Sequence, residues 1–243
     1  RIKKRSNIVA FTKGYHGLTM GSLGVTANGF YRDEFTGQAA NTAFMPFDGY
    51  LGNSIDTIDV FRNYLDDPSS GIDLPAAVIV ETVQGEGGIN VAGIEWLRRL
   101  ESLCRSFDIL LIIDDIQMGN GPMGPFFSFE HAGLKPDMVT LSKSLGGGLP
   151  LSILLMRSDL DQWRPGEDTS TFRGNSLALV AATEVLGYWE DDVLSEMVLA
   201  SGETIGRALR AIANEYGNLG IEVRGRGMAW GLDLKKSENG SRV

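Results

Sequence analysis

The sequence predicts an α/β protein with a mainly parallel β-sheet, and two observations support this prediction. Short apolar runs that suit buried strands occur at residues 76–80, 109–113, 137–141 and 151–156. Segments in which apolar residues recur with helical spacing separate several of these runs. Such alternation is typical of parallel strands that are joined by crossover helices and buried on both faces.

The elements before residue 109 follow the same pattern, with one interruption. Residues 8–11 predict the first strand, residues 55–65 a helix with one apolar face, and residues 94–107 a second helix. Residues 26–54 are rich in Gly, Asn and aromatic side chains and show no clear period, so we predict a long loop there. Loops of that length are uncommon in compact domains and are often functional.

The elements after residue 150 predict a change of structural unit. A strand is followed by a polar loop, two helices and two final strands, at residues 151–156, 163–175, 176–189, 194–216, 221–223 and 228–234. We expect residues 1–189 to form a large domain that is incomplete at its N-terminus. Residues 190–243 are expected to begin a small C-terminal domain. Because predicted strands lie close to both ends, we expect the chain to be a fragment.

Composition and charge argue against several classes of partner. An apolar content of 43% and a charged content of 22% are ordinary for a globular protein. The formal net charge of −9 argues against the basic face that nucleic-acid binding requires. No apolar run approaches the roughly 20 residues of a membrane span, and no signal peptide is recognisable. Cys104 is the sole cysteine, which favours a reducing, cytoplasmic location.

The central stretch, residues 109–149, contains two predicted strands that end in charged side chains. The run 109–113 is followed by Asp114, and the run 137–141 is followed by Ser142 and Lys143. A Gly/Pro-rich loop and an amphipathic, helix-like segment lie between them. Ligands of open α/β sheets bind outside the carboxyl ends of the strands, so we expect Asp114 and Lys143 to share a site.

Three kinds of site fit the sequence poorly. Residues 85–87 begin a dinucleotide-binding pattern, but Asn90 replaces its third glycine and no helix starts there. His16 and His131 are the only histidines and lack the spacing of metal ligands, so no metal site is predicted. A serine hydrolase would need a nucleophile elbow, which the sequence lacks.

A lysine and an aspartate together suit pyridoxal phosphate. This cofactor needs an amine for a Schiff base and an acidic partner for its pyridine nitrogen. Asp114 would keep that nitrogen protonated, and Lys143 would act as a general base. The spacing alone leaves an alternative open, in which Asp114 caps a loop and Lys143 is a solvated strand end.

Five motifs, in order along the chain, resemble those of the class-III aminotransferases, which are fold-type-I pyridoxal-phosphate enzymes. They lie at residues 14–17 (GYHG), 81–88 (ETVQGEGG), 114–117 (DDIQ), 142–143 (SK) and 170–175 (STFRGN). The resemblance covers nearly the whole chain. It implies that residues 1–189 form the cofactor-binding large domain with a mainly parallel sheet of the seven-stranded type, and that residues 190–243 begin the small domain.

The resemblance also implies how the cofactor is held. Lys143 would bind pyridoxal 5′-phosphate covalently and act as the catalytic residue, and Asp114 would pair with the pyridine nitrogen. Gln117 would lie by the phenolic oxygen. Tyr15 would stack on the face of the ring, with His16 and Gly17 beside it.

Three further residues have implied roles at the edges of the site. Glu81 would lie near the cofactor ring, and Glu86 would face the substrate entrance. Thr171 would reach the phosphate of the neighbouring subunit's cofactor, so the resemblance implies a homodimer or a higher oligomer.

Within the family, the chain most resembles members that interconvert L-aspartate 4-semialdehyde plus L-glutamate with L-2,4-diaminobutyrate plus 2-oxoglutarate. The segments that support this finer resemblance are residues 47–51, 125–130, 137–143, 163–167 and 172–175. Another class-III ω-aminotransferase, an aminomutase and a non-catalytic remnant of the family are the alternatives. The product would serve ectoine, siderophore or peptide biosynthesis, and the sequence does not distinguish among these.

The chain departs from the family pattern at several positions. In the loop at residues 119–124, Pro122 and Met123 replace an Arg-Thr pair, and Asp168 adds a carboxylate beside Thr171. The family's main phosphate-binding loop would lie upstream of residue 14. The arginine that binds the substrate's α-carboxylate would lie beyond Val243.

Overall fold

The computed structural model describes residues 2–32, 41–167, 169–171 and 173–234. The strands are β1 (Ile8–Phe11), β2 (Thr42–Met45), β3 (Ala77–Val80), β4 (Val83–Gln84), β5 (Asn90–Val91), β6 (Leu110–Asp114), β7 (Met138–Leu141), β8 (Ile153–Met156), β9 (Ile221–Arg226) and β10 (Ala229–Leu234). The α-helices are α1 (Met20–Leu23), α2 (Gly29–Arg32), α3 (Thr57–Asp66), α4 (Ile94–Ser106), α5 (Ser176–Gly187) and α6 (Val193–Glu215).

A mainly parallel sheet lies at the centre of the described part of the chain. Its order is β2-β1-β3-β6-β7-β8, and every neighbouring pair is parallel except β7 and β8. The α/β class predicted from the sequence is therefore confirmed. Within the described residues the sheet has 6 strands, one fewer than the seven-stranded type that the resemblance implied.

Alternating side chains of the strands enter two apolar clusters. Val78 of β3 and Leu111 of β6 join the larger cluster with α3 and α4, whereas their neighbours Ala77 and Leu110 join the smaller one. Successive side chains of a strand point to opposite faces, so the sheet is buried on both sides. Helix α4 buries Leu97, Leu100 and Leu103, and each buried leucine contributes roughly 1.5–3 kcal/mol to stability.

The prediction of one long loop at residues 26–54 is wrong. Helix α2 and strand β2 lie in this range, and β2 pairs in parallel with β1 from Ile8↔Thr42 to Phe11↔Met45. Strand β2 is short and lies at the edge of the sheet, and only Met45 in it is buried. Four residues with one buried side chain give too weak an alternating pattern to be recognised in a sequence.

The helix-like segment between β6 and β7 is shorter than its pattern indicated. It forms a single 3₁₀ helix, Ser128–Ala132, which ends at Gly133 with a left-handed φ of 66°. The hydroxyl group and the backbone N–H of Ser128 both donate to the carboxylate of Asp115, immediately after β6. This contact folds the segment back onto the end of the strand, which leaves little length for a regular helix.

Helix α6 packs against an antiparallel hairpin formed by β9 and β10. Gly202 and Gly206 allow the close approach, because a Cβ atom at Gly202 would lie 2.1 Å from the carbonyl oxygen of Gly227, and one at Gly206 would lie 2.3 Å from the Trp230 ring. The hairpin turn also contacts the site loop, where the Met228 N–H donates to the carbonyl oxygen of Pro122 over 2.8 Å. Among the described residues, no helix is long and apolar enough to cross a bilayer.

Candidate functional site

Most of the predicted site residues meet in one cavity at the carboxyl ends of β1, β3, β6 and β7. The cavity has a volume of about 90 Å³. Its lining includes seven of the predicted residues: Tyr15, His16, Gly17, Glu81, Asp114, Gln117 and Lys143. Three apolar or sulfur-containing residues that the sequence reasoning did not single out complete the lining: Val83, Ile116 and Met118.

Asp114, the last residue of β6, is held by three hydrogen bonds. Its Oδ2 atom lies 2.7 Å from Nδ1 of His16, and both side chains are buried. Its Oδ1 atom accepts from the Thr140 hydroxyl group and from the Ile116 N–H, each over 3.2 Å. Thr140 lies opposite Asp114 in the register of β6 and β7, so the sheet itself positions this donor.

His16 is fixed by the loop that follows β1. Its backbone N–H donates to the Thr26 hydroxyl group over 2.9 Å, and that hydroxyl group donates to the carbonyl oxygen of Gly17 over 3.0 Å. Gly17 has a φ of +111°, which side chains rarely allow, and a Cβ atom there would lie 3.0 Å from the Ser22 hydroxyl oxygen. The GYHG motif therefore needs its last glycine for a backbone turn that directs His16 toward Asp114.

Glu81 follows β3 and is buried beside the same pair. One of its carboxylate oxygens accepts from the Tyr15 N–H over 2.9 Å, and the other accepts from the Gly85 N–H over 3.2 Å. Burial raises the pKa of Glu81 to about 7, although His16 opposes the shift. Glu81 is therefore able to hold or release a proton near neutral pH, and it joins the loops that carry Tyr15 and Gly85.

Lys143 lies just beyond β7 in an unusual backbone conformation. Its φ of 46° is in the left-handed region, which non-glycine residues rarely adopt. The preceding residue is anchored, because the Ser142 hydroxyl group donates to the carbonyl oxygen of Leu151 over 2.6 Å. Lys143 lines the cavity and remains exposed to solvent, so its amine is accessible to a ligand. Backbone strain of this kind is concentrated at functional sites.

Gln117 enters the cavity because Gly85 leaves room for it. A Cβ atom at Gly85 would lie 1.8 Å from Oε1 of Gln117. The sequence indicates Gly85 only as part of a motif and gives no sign of this role, nor of the roles of Thr26 and Thr140. Only the pairing of strands and loops in three dimensions shows which partners these residues have.

Two predicted site residues do not line this cavity. Glu86 is exposed and lines a larger, neighbouring depression. Thr171 is exposed in the polar loop before α5. Asp168, which we expected to add a charge beside Thr171, lies outside the described residues.

The unusual pair in the site loop lies beneath the cavity. Met123 is fully buried in a small cluster with Val83 and Met118, which both line the cavity. The carbonyl oxygen of Pro122 accepts from the N–H of Met228 in the hairpin turn. Pro122 and Met123 thus connect the site to the β9–β10 hairpin and contribute no side chain to the cavity lining.

This donor set fits pyridoxal phosphate. An accessible lysine and a buried aspartate that contacts a histidine line one cavity together with a tyrosine. The lysine and the aspartate are the amine and the acidic partner that this cofactor requires. The cavity volume lies below the range of about 300–1,000 Å³ typical of ligand pockets, so these residues alone enclose only part of such a cofactor. The fold and the site together define a fold-type-I pyridoxal-phosphate protein.

Comparison with known proteins identifies the family. The sequence description of the class-III aminotransferases matches residues 1–242. The chain therefore belongs to the class-III aminotransferases, a pyridoxal-phosphate-dependent family. It is 57% identical over 236 residues to a diaminobutyrate–2-oxoglutarate transaminase from Wolinella succinogenes, covering 97% of this chain and 55% of that protein. A transaminase of the same name from Halomonas elongata is 53% identical over 246 residues, covering 99% of this chain and 58% of that protein.

Solved structures give the same assignment of fold. The ornithine aminotransferase of Toxoplasma gondii is 30% identical with a TM-score of 0.82, covering 95% of this chain and 52% of that one. A pyridoxal-phosphate-bound amine transaminase from an uncultivated Pseudomonas species is 26% identical with a TM-score of 0.84, covering 95% of this chain and 55% of that one. The chain thus spans little more than half the length of the proteins it matches.

Proposed function

We propose that the protein containing this chain transfers an amino group between L-glutamate and L-aspartate 4-semialdehyde, forming 2-oxoglutarate and L-2,4-diaminobutyrate, reversibly. The observation that carries this proposal is the presence of Lys143 and Asp114 in one cavity, with Asp114 bound to His16. The choice of substrates is supported by relatives that are 57%, 54% and 53% identical to the chain and are named diaminobutyrate–2-oxoglutarate transaminases.

Lys143 is the catalytic residue of the proposed reaction. Its Nζ atom would hold the cofactor covalently and, once the substrate amine has displaced it, would move a proton to and from the reacting carbon of the substrate. Its exposure in the cavity allows both tasks. Pyridoxal phosphate, when bound, supplies an electron sink for the substrate.

Asp114 and His16 would keep the pyridine nitrogen of the bound cofactor protonated, because the electron sink depends on that positive charge. Asp114 would hold the pyridine nitrogen, while His16 and Thr140 fix the orientation of its carboxylate. Tyr15 and Gly17 would hold the ring, and Gln117 would hold the phenolic oxygen. Glu81 joins the Tyr15 and Gly85 loops and would lie near the ring.

The remaining roles concern the edges of the site and the assembly. Glu86 faces the entering substrate, in keeping with its exposed position. Thr171 would hold the phosphate of a second subunit's cofactor in a homodimer, which its exposure permits. We also retain the proposals that residues 1–189 belong to a large domain, that residues 190–243 begin a small one, and that the enzyme acts in the cytoplasm.

The experiment that tests this function uses the full-length protein that contains the chain. We expect the purified protein to show visible absorbance from the covalently bound cofactor and to form 2,4-diaminobutyrate from aspartate 4-semialdehyde and glutamate. Lys143→Ala should lose both, whereas Lys135→Ala, which removes an exposed lysine outside the cavity, should retain both.

Two results would contradict the proposal in different ways. If the protein stays colourless with added cofactor, it is a non-catalytic remnant of the family and the proposed function is wrong. Turnover of other ω-amino donors, with none of diaminobutyrate, indicates another class-III reaction.

A further inference from the structure

Residues 85–91 form a loop, the bridging loop, that contacts the cofactor cavity at one end and the β9–β10 hairpin at the other. Gly85, its first residue, donates its N–H to the Glu81 carboxylate over 3.2 Å and lies against Gln117. Strand β5, at the end of the loop, packs beside β9. The bridging loop is therefore a physical connection between the cavity and the hairpin.

The centre of the bridging loop has a conformation that its sequence disfavours. Ile89 has a φ of 53°, in the left-handed region, where a β-branched residue is a genuine outlier. The N–H groups of Gly88 and Ile89 donate to the carbonyl oxygen of Gly85 over 3.0 and 3.3 Å. The strained turn is thus joined directly to the residue that contacts the cavity. A strained backbone persists only where surrounding contacts hold it.

Arg224 of β9 holds the peptide unit between Gly88 and Ile89. Its Nε and Nη2 atoms donate to the carbonyl oxygen of Gly88 over 3.2 and 3.0 Å. Rotation of this peptide unit is the motion that would move Ile89 out of the left-handed region, and it would turn the carbonyl oxygen away from the guanidinium group. Hydrogen bonds from a charged donor are stronger than those between neutral groups. Arg224 therefore opposes relaxation of the turn.

The guanidinium group of Arg224 is itself fixed inside the hairpin. Its Nη1 atom donates to the Asp233 carboxylate over 2.8 Å and lies 3.7 Å from Oε1 of Glu222. Asp233 and Glu222 are paired in the register of β9 and β10. Arg224 thus uses one part of its planar fork for the hairpin and the other for the bridging loop. Because the two parts have different partners, substitutions can separate their effects.

We infer that Arg224 is a positioning residue of the cofactor site. From the hairpin it holds the bridging loop in the conformation that places Gly85 against Gln117 and directs the Gly85 N–H to Glu81. Arg224 is not among the residues that line the cavity, so it acts through the loop. The inference rests on the proposed function, because it assigns the loop to a site that binds pyridoxal phosphate.

The first measurement uses the full-length protein without cofactor. Hydrogen exchange, followed by mass spectrometry, reports on the N–H groups of the bridging loop. In Arg224→Met the Gly88 carbonyl oxygen loses both donors, so peptides that cover residues 85–91 should exchange about tenfold faster than in wild type. Peptides from α4, which follows the loop, should exchange as in wild type.

The second measurement is the Kd for pyridoxal phosphate, obtained by titrating the cofactor-free protein and recording the visible absorbance. Arg224→Met should raise this Kd about tenfold, because Gly85 and the two cavity side chains that it contacts are no longer held in place.

Two control variants disturb the hairpin without touching the bridging loop. Asp233→Ala removes the carboxylate that pairs with Arg224 and leaves both hydrogen bonds to Gly88. Arg210→Met removes an exposed arginine whose guanidinium carbon lies 5.2 Å from the centroid of the Trp230 ring in the same hairpin. Both controls should keep the exchange rates and the Kd within about twofold of wild type.

Three results would overturn the inference. The first is an Arg224→Met protein with the exchange rates and the Kd of wild type. The second is faster exchange in α4 as well as in the loop, which indicates general loosening of the fold. The third is an equal loss in Asp233→Ala, which confines the role of Arg224 to the stability of the hairpin.

A second variant keeps the test decisive if Arg224→Met does not fold. Arg224→Lys retains the charge but cannot reproduce the paired hydrogen bonds of the guanidinium fork to Gly88. A larger loss in Arg224→Lys than in Asp233→Ala supports the inference, and no loss overturns it.

Failure of the proposed function is a separate outcome. A wild type that binds pyridoxal phosphate but does not transaminate diaminobutyrate contradicts that function, and the exchange rates and the Kd still decide the role of Arg224. A wild type that does not bind the cofactor overturns the inference.

Discussion

The cofactor cavity and the depression beside it are built on opposite physical principles. In the cavity, Asp114, His16 and Glu81 are buried, and each is held by hydrogen bonds from the ends of strands or from tight loops. In the depression, Lys13 and Glu86 are exposed and Arg32 is half-buried. Buried, paired groups suit chemistry that needs fixed orientation, whereas exposed charges suit recognition of substrates that enter and leave. We therefore expect changes in the cavity to affect kcat and changes in the depression to affect KM.

The largest expected effect comes from Asp114→Asn. Asparagine preserves the shape and one acceptor oxygen but removes the charge at the pyridine nitrogen, so kcat should fall about 10²–10³-fold or more. Asp108→Asn, at a carboxylate that contacts Lys3 on the surface, is the control and should leave kcat unchanged. Steady-state kinetics with diaminobutyrate measures both. A change confined to KM would contradict the contrast between the two regions.

Two glycine substitutions in one loop test the difference between the cavity and the depression more directly. Gly85→Ala places a methyl group against Gln117 in the cavity, and Gly87→Ala places one against the backbone of Lys13 in the depression. We expect Gly85→Ala to weaken cofactor binding and lower kcat, about tenfold. Gly87→Ala should chiefly raise the KM for the substrates and leave cofactor binding near wild type. Cofactor titration and steady-state kinetics distinguish them, and identical effects from both substitutions would remove the distinction.

The two regions also differ in how well they could be predicted from the sequence. Asp114 and Lys143 end apolar strands, and a strand is a local pattern, so their meeting at one sheet edge could be foreseen. Lys13 and Arg32 lie in separate short segments on either side of Gly17, and Arg32 belongs to a range that the sequence indicated only as a loop. Both line the depression, but contacts such as the packing of Gly87 against Lys13 leave no periodic signal in the sequence.

The short elements were missed for a related reason. Strand β2 is an edge strand with a single buried residue, and the 3₁₀ helix after β6 is set by contacts of Ser128 with Asp115. Longer elements such as α4 and the β9–β10 hairpin were predicted, because many side chains in them share one periodicity. The hydrogen bond between His16 and Asp114, 98 residues apart in the chain, is visible only in three dimensions.

The buried carboxylate of Glu81 should make the stability of the protein depend on pH. Burial raises the pKa of Glu81 from 4.5 to about 7, so the folded protein binds this proton more tightly than the unfolded chain does. That stabilisation is fully present below pH 4.5 and is lost as the pH rises through about 7. Glu81→Gln should therefore gain stability relative to wild type between pH 5 and pH 8, by about 3 kcal/mol at most.

Urea unfolding of Glu81→Gln and of wild type at pH 5 and pH 8 measures this difference in the free energy of unfolding. Asp115, whose pKa burial raises to about 6, titrates in the same range in both proteins and cancels. Parallel stability curves for Glu81→Gln and wild type would show that Glu81 is not a buried titrating group.

Chemical labelling of Lys143 tests whether this lysine and Asp114 serve one bound cofactor. Borohydride reduction of the full-length protein with pyridoxal phosphate converts the lysine–cofactor bond to a stable amine, which peptide mass spectrometry locates. We expect the phosphopyridoxyl group on Lys143, and we expect less of this label in Asp114→Asn than in wild type. A label on another lysine, or no stoichiometric label at all, would contradict it.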